Sequence, residues 1–216
     1  MSGALVPQDP AAAALLRLDR AAMPQYLTRQ QVQKLVEACR DYRHGRDRLF
    51  VRIAFETGGR ASELIQIRRS DIDLTNRQIR LLTLKRRTDK RRKIKHASRW
   101  IPVSHSLVAD LGVYLLALRP ELGETEFDDF RLFPFSRQAA HKLVHAAGKR
   151  AGLVARGGRD VSPHILRHSF AMNCLTQGVP ITVLKELMGH ASIVSTMIYL
   201  KTDPAQAREF LSKVQF

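Results

Sequence analysis

PHILRHSFAMNCLTQGVPITVLKELMGHASIVSTMIYLK, residues 163–201, is the stretch whose reading decides the fold. Ser162 and Pro163 supply a helix cap and a first helical position, so the pattern predicts a helix over 163–177 that Gly178 ends. Pro180 opens a second helix and Gly189 closes it. A third is predicted from about Ser192, carrying Tyr199 near its end, and Pro204 starts a last one.

Upstream, ETGGRASELIQIRRSDID (56–73) breaks a helix predicted over about 46–57 at Gly58 and Gly59. A short helical pattern then resumes over Ala61 to Ile67 and places Arg60 at its start. Farther back, Thr28 and Gln31 have capping-box spacing, and Val32, Leu35 and Val36 continue a helix over about 28–41. QIRLLTL (78–84) and RWIPV (99–103) are the β signal and predict a small antiparallel sheet or hairpin. Ser104 caps a helix to about Leu118, and Ser136 caps another through Arg150 with Ala139, Ala140, Leu143, Val144 and Ala147 on one face. The expected fold class is therefore α+β and mainly α, with residues 1–25 as an Ala-rich leader and one domain over 26–216.

Composition limits the partners. Lys and Arg number 36 against 20 Asp and Glu, a formal charge of +16, which favours a polyanion and nucleic acid first. No stretch approaches the roughly 20 apolar residues a spanning helix needs, and Ala11 to Leu16 lacks the basic flank of an export signal. Cys39 and Cys174 lie far apart without metal-type spacing and read as buried thiols in a reducing cytosol. The expected location is cytoplasmic, with the nucleoid.

Transfer of a phosphodiester without a metal needs a nucleophile, cations on the non-bridging oxygens, and an acid for the departing 5′ oxygen. The chain holds each type: Tyr199 to attack, Arg60, His164, Arg167 and His190 to hold the phosphate, and Lys85 as acid. Arginine suits the work because its planar fork matches a phosphate and its charge is permanent. Neighbouring cations also lower the pKa of a phenol, ordinarily about 10.

These residues carry a resemblance. The two quoted segments resemble the catalytic domain of the tyrosine site-specific recombinases, the phage integrase family, over about residues 27 to 205. That family's G-x-R-x-[ST]-E motif is matched by Arg60 with Glu63, its H-x-x-R pair by His164 with Arg167, its L-G-H position by His190 after Met188 and Gly189, and its tyrosine by Tyr199. The family's hairpin lysine matches Lys85 best, with Lys90, Lys93 and Lys95 as the other choices. The resemblance implies site-specific cleavage and rejoining of double-stranded DNA through a 3′-phosphotyrosyl intermediate, without nucleotide, metal or other cofactor. It also implies a homo-tetramer on DNA, a monomer being open off DNA, with the C-terminal segment either packed at home or docked on a neighbouring protomer. Most members carry a separate helical core-binding domain ahead of this one, whereas about 26 residues precede the first helix here. The short fimbrial phase-variation recombinases share that economy, and their G-F-R-A-S-E is similar to GGRASE at 58–63. The core-binding domain is thus expected to be absent and an accessory protein remains an option. The biological outcome stays open among integration, inversion and resolution for a mobile element or plasmid.

Taken singly, each of these residues has a plainer reading. Tyr199 alone would read as a core tyrosine, and Arg60 with Glu63 as a surface ion pair, so Glu63 and His168 are assigned supporting roles. His164 with His168, and His141 with His145, have the i, i+4 spacing of zinc ligands but no nearby carboxylate or thiolate to complete a site. Residues 85–99 hold nine Lys or Arg and one Asp. Between two strands, such a run points to phosphate neutralisation by Arg86, Arg87, Lys90, Arg91, Arg92, Lys93 and Lys95, with Arg68 and Arg69 on the same surface. Two other functions use the same parts: a DNA-binding regulator that has kept the fold without turnover, and a type IB topoisomerase.

Overall fold

In the computed structural model, the described residues are 25–40, 44–83, 97–121, 127, 129–155 and 158–190. Residues 1–24, the basic run from Lys85 to Lys95 and everything after His190, Tyr199 included, lie outside them.

The chain forms α1 (Arg29–Glu37), α2 (Arg46–Thr57) and the single turn α3 (Ala61–Leu64), then β1 (Ile72–Asp73), β2 (Gln78–Thr83) and β3 (Ala97–Pro102). After the sheet come α4 (His105–Leu118), α5 (Arg137–Arg150), α6 (Pro163–Thr176) and α7 (Ile181–Met188). Thr28 caps α1 through the predicted box: its Oγ1 accepts from the Gln31 amide at 3.3 Å, and Gln31 Oε1 accepts from the Thr28 amide at 2.8 Å. Ser104, Ser136 and Ser162 each accept an amide from the first turn of α4, α5 and α6.

α2 and α6 form the centre. Leu49, Phe50, Val51, Ile53, Ala54 and Thr57 bury most of the circumference of α2, which packs along α6. Phe50 sits edge-on to Phe133, centroids 5.1 Å apart, in the offset geometry that aromatic quadrupoles favour. A smaller cluster of Phe170, Ala171, Met172, Leu184 and Met188 joins α6 to α7 and so fixes where α7 ends.

The β region is larger than the sequence predicts: an antiparallel sheet ordered β1-β2-β3, with Ile72 paired to Ile79 across the extra short strand. Two residues per strand are too few for alternation to register, which is why β1 escapes a pattern search. The helix predicted over Ala61 to Ile67 is cut to Ala61–Leu64, and that predicted to residue 41 stops at Glu37. Cys39 is buried as expected, but Cys174 is only partly so; burial pushes both thiols up to about 11, where they stay protonated and unreactive.

β2 and β3 pair Ile79 with Ile101, Leu81 with Arg99 and Thr83 with Ala97. Side chains alternate faces along a strand, so Arg99 has the same inward phase as the buried Ile101. The opposite face carries Arg80 paired with Trp100, the guanidinium 5.5 Å from the ring centroid.

Candidate active site

The site begins at the break between α2 and α3. Gly58 adopts φ +60°, and a Cβ there would lie 2.2 Å from Cδ1 of Phe170, so glycine is required both for conformation and for the close approach of α6. A Cβ on Gly59 would meet Leu64 Cδ2 at 2.7 Å. This double-glycine corner turns the chain so that Arg60 caps α3, its side chain 43% exposed. Arg60 donates its amide to Glu63 Oε2 at 2.9 Å and its Nη1 to Glu63 Oε1 at 3.1 Å.

Glu63 is 1% exposed and is shared between two arginines. Arg99 reaches it from β3, Nη2 to Oε2 at 2.8 Å and Nη1 to Oε1 at 3.3 Å. Burial pushes the Glu63 pKa upward, but the hydrogen bonds and charges of Arg99 and Arg60 outweigh it and hold the carboxyl below its ordinary range. Glu63 is therefore an ionised anchor.

Arg167 comes from α6 and is 4% exposed. Its Nη1 donates to the Gly58 carbonyl at 2.6 Å and its Nη2 to the Met188 carbonyl at 2.8 Å. One guanidinium thus fastens the double-glycine corner to the end of α7. Arg99 fastens the same end from the other side, donating Nε to the Leu187 carbonyl at 2.7 Å. These two cations sit where the helix leaves its last carbonyls unpaired and its dipole is negative. Gly189, at φ +61°, ends α7 and delivers His190.

The histidines lie in the field of these cations. Burial first, then Arg167, Arg60 and Arg99, push the His190 pKa down to about 4, with Glu63 opposing. Desolvation and then His164, Arg167 and His190 push His168 down to about 4. His164 is at the exposed rim, its ring edge-on to His168 with centroids 4.2 Å apart. Desolvation, then Arg167, His141, Arg159 and Arg60, lower its pKa below the ordinary value. All three imidazoles are neutral at pH 7 in the free protein.

Arg60, Glu63, His164, Arg167, His168 and His190, separated by up to 130 positions in the sequence, are thus brought to one site. Arg68 and Arg69 turn to the chain itself. Arg68 Nη1 donates to the Asp129 carbonyl at 2.6 Å, and Arg69 Nη1 to the Ile72 carbonyl at 3.2 Å. Lys85, Arg86, Arg87, Lys90, Arg91, Arg92, Lys93, Lys95 and Tyr199 lie outside the described residues. In the sequence Arg99 is one more cation of the basic run. Its inward phase with Ile101 was the available signal.

Among the described residues, no group of three or more His, Cys, Asp or Glu could hold a metal ion, and no helix is long and apolar enough to cross a membrane.

The chain matches the phage integrase family over residues 25–206 and belongs to it. It is 32% identical over 189 residues to tyrosine recombinase XerD of Mycobacterium tuberculosis, covering 82% of this chain and 56% of that protein. It is 30% identical over 196 residues to tyrosine recombinase XerA of Thermococcus kodakarensis, covering 90% and 64%. The chain thus spans a little over half the length of the curated relatives it matches. Among solved structures, a XerA recombinase superposes with TM-score 0.71 and 26% identity, covering 90% of this chain and 67% of that one. The catalytic domain of bacteriophage HP1 integrase superposes with TM-score 0.58 and 25% identity, covering 87% and 94%.

Proposed function

We propose that this chain cleaves and rejoins double-stranded DNA at a specific site, with Tyr199 as nucleophile. The observation that carries the reading is the convergence of Arg60, Arg167 and the ionised Glu63 on His190, at a site whose exposed members, Arg60 and His164, face solvent. A scissile phosphate placed there meets the exposed Arg60, with the field of the buried Arg167 behind it, and both stabilise charge on its non-bridging oxygens as the transition state forms. Family membership and the charge of +16 supply the substrate class.

In the proposed reaction, the Tyr199 hydroxyl attacks phosphorus, a phosphotyrosyl bond forms and the bond to the 5′ oxygen breaks. Lys85 gives the leaving oxygen a proton, and neutral His164 takes the phenolic one. Religation reverses each transfer, so the bond energy is conserved and no nucleotide is needed. Strand exchange within a tetramer on DNA, with the cations of 85–95 on the phosphates, completes the reading.

The experiment uses nicked suicide duplexes drawn from the DNA flanking the gene, scored for a covalent protein–DNA adduct. Wild type forms it and Tyr199→Phe does not. An equal yield from both overturns the nucleophile; relaxation of supercoiled DNA lacking any specific site redirects the reading to a topoisomerase.

A further inference from the structure

We infer that Arg99 is a positioning residue, one that locks the β2–β3 hairpin to both halves of the cation site and touches no DNA itself. The inference rests on the recombinase reading above and adds a residue to it. Three observations support it independently.

First, Arg99 has most of its donors committed to the chain. Its guanidinium donates to Glu63 at both oxygens, to the Leu187 carbonyl and, through Nη1 at 2.9 Å, to Thr83 Oγ1. A guanidinium has five N–H donors, and these contacts occupy four, in a side chain 12% exposed. A phosphate ligand needs its fork turned outward; this one is turned inward.

Second, the partners of Arg99 are the supports of other functional groups. Glu63 orients Arg60, and the Leu187 carbonyl belongs to the last turn of α7, two residues before Gly189 and three before His190. Thr83 is the last described residue of β2, two positions before Lys85. One side chain therefore joins the anchor of Arg60, the anchor of His190 and the strand leading to the candidate acid.

Third, the space for it is built in. A Cβ on Gly189 would lie 2.8 Å from Arg99 Nη1 and 3.0 Å from Cζ, so the absence of a side chain at 189 is what lets the guanidinium lie under the α7 terminus.

The test compares wild type, Arg99→Lys and the charge-balanced double variant Arg99→Met/Glu63→Gln, which leaves no unpaired buried carboxylate. Amide exchange, measured without DNA, reads the positioning directly. Gly189 and His190 should exchange about tenfold faster in the double variant while α2 amides keep their protection. On saturating suicide DNA, cleavage should slow by about a hundredfold, as small displacements of reacting groups do, with Arg99→Lys intermediate. The salt slope of DNA binding should stay at the wild-type value, since no phosphate contact is lost. A slope reduced by about 0.9 would identify Arg99 as a phosphate ligand and overturn the inference. So would unchanged exchange at Gly189 and His190, or cleavage within twofold of wild type. Wild type that forms no adduct sinks the recombinase reading instead, and the exchange measurement still decides the positioning role.

Discussion

The inner and outer halves of the site use the same residue type for opposite purposes. Arg167 and Arg99, 4% and 12% exposed, spend donors on backbone carbonyls and on Glu63. Arg60, 43% exposed, and His164 stand at the rim. The same guanidinium chemistry becomes scaffold when its fork meets carbonyls and ligand-ready when its fork meets solvent. Burial, not residue identity, divides the work.

Removing an inner cation should have the largest effect because it costs both stability and chemistry. Arg167→Ala leaves the Gly58 and Met188 carbonyls without their donor and should destabilise the fold by on the order of 3 kcal/mol. Urea titration reads that loss, and adduct formation should vanish with it. An unchanged midpoint would show that the two halves are not distinct.

Arg60→Ala should separate them most cleanly. Cleavage on suicide DNA should fall by about 3 kcal/mol, roughly a hundredfold, while the melting temperature changes little, because Arg99 still neutralises Glu63. A large loss of stability would move Arg60 into the scaffold.

The pH response sharpens the boundary between the halves. His168 and His190 are held near 4 in the folded chain, against an ordinary 6.5, so the unfolded chain binds more protons in between. Stability should therefore fall as pH drops from about 6.5 toward about 4, and this contribution should flatten below it. Denaturation midpoints for wild type and His168→Gln across that window check the sign, the variant showing the shallower fall.

The smallest expected effect is Ser162→Ala. It deletes the cap of the helix that carries both Arg167 and the rim His164, and should cost about 1 kcal/mol by thermal or urea melting.

How much was legible follows the same division. The capped helices could be read because Thr28, Ser104, Ser136 and Ser162 act within three residues of themselves. Arg60, His164, Arg167 and His190 could be picked out because their motifs preserve order and spacing. What escaped were relations across the chain. Arg99 meets the Leu187 carbonyl 88 positions away, and a backbone carbonyl leaves no mark in a residue pattern. The shortened α3 escaped for a related reason: Leu64 and Ile67 are both buried, so the apolar pattern runs on past the helix end at Leu64.

The contact of Gly189 with Arg99 also gives mutation a direction. While the guanidinium lies beneath residue 189, any side chain there meets it and must push it off its contacts, so replacing the glycine first disturbs the site. Once Arg99 is gone, the steric veto lifts and only the positive φ remains, which Asn tolerates better than a β-branched residue. The two positions are therefore coupled. A selection begun from Arg99→Ala should recover Gly189→Asn, whereas one begun from wild type should not.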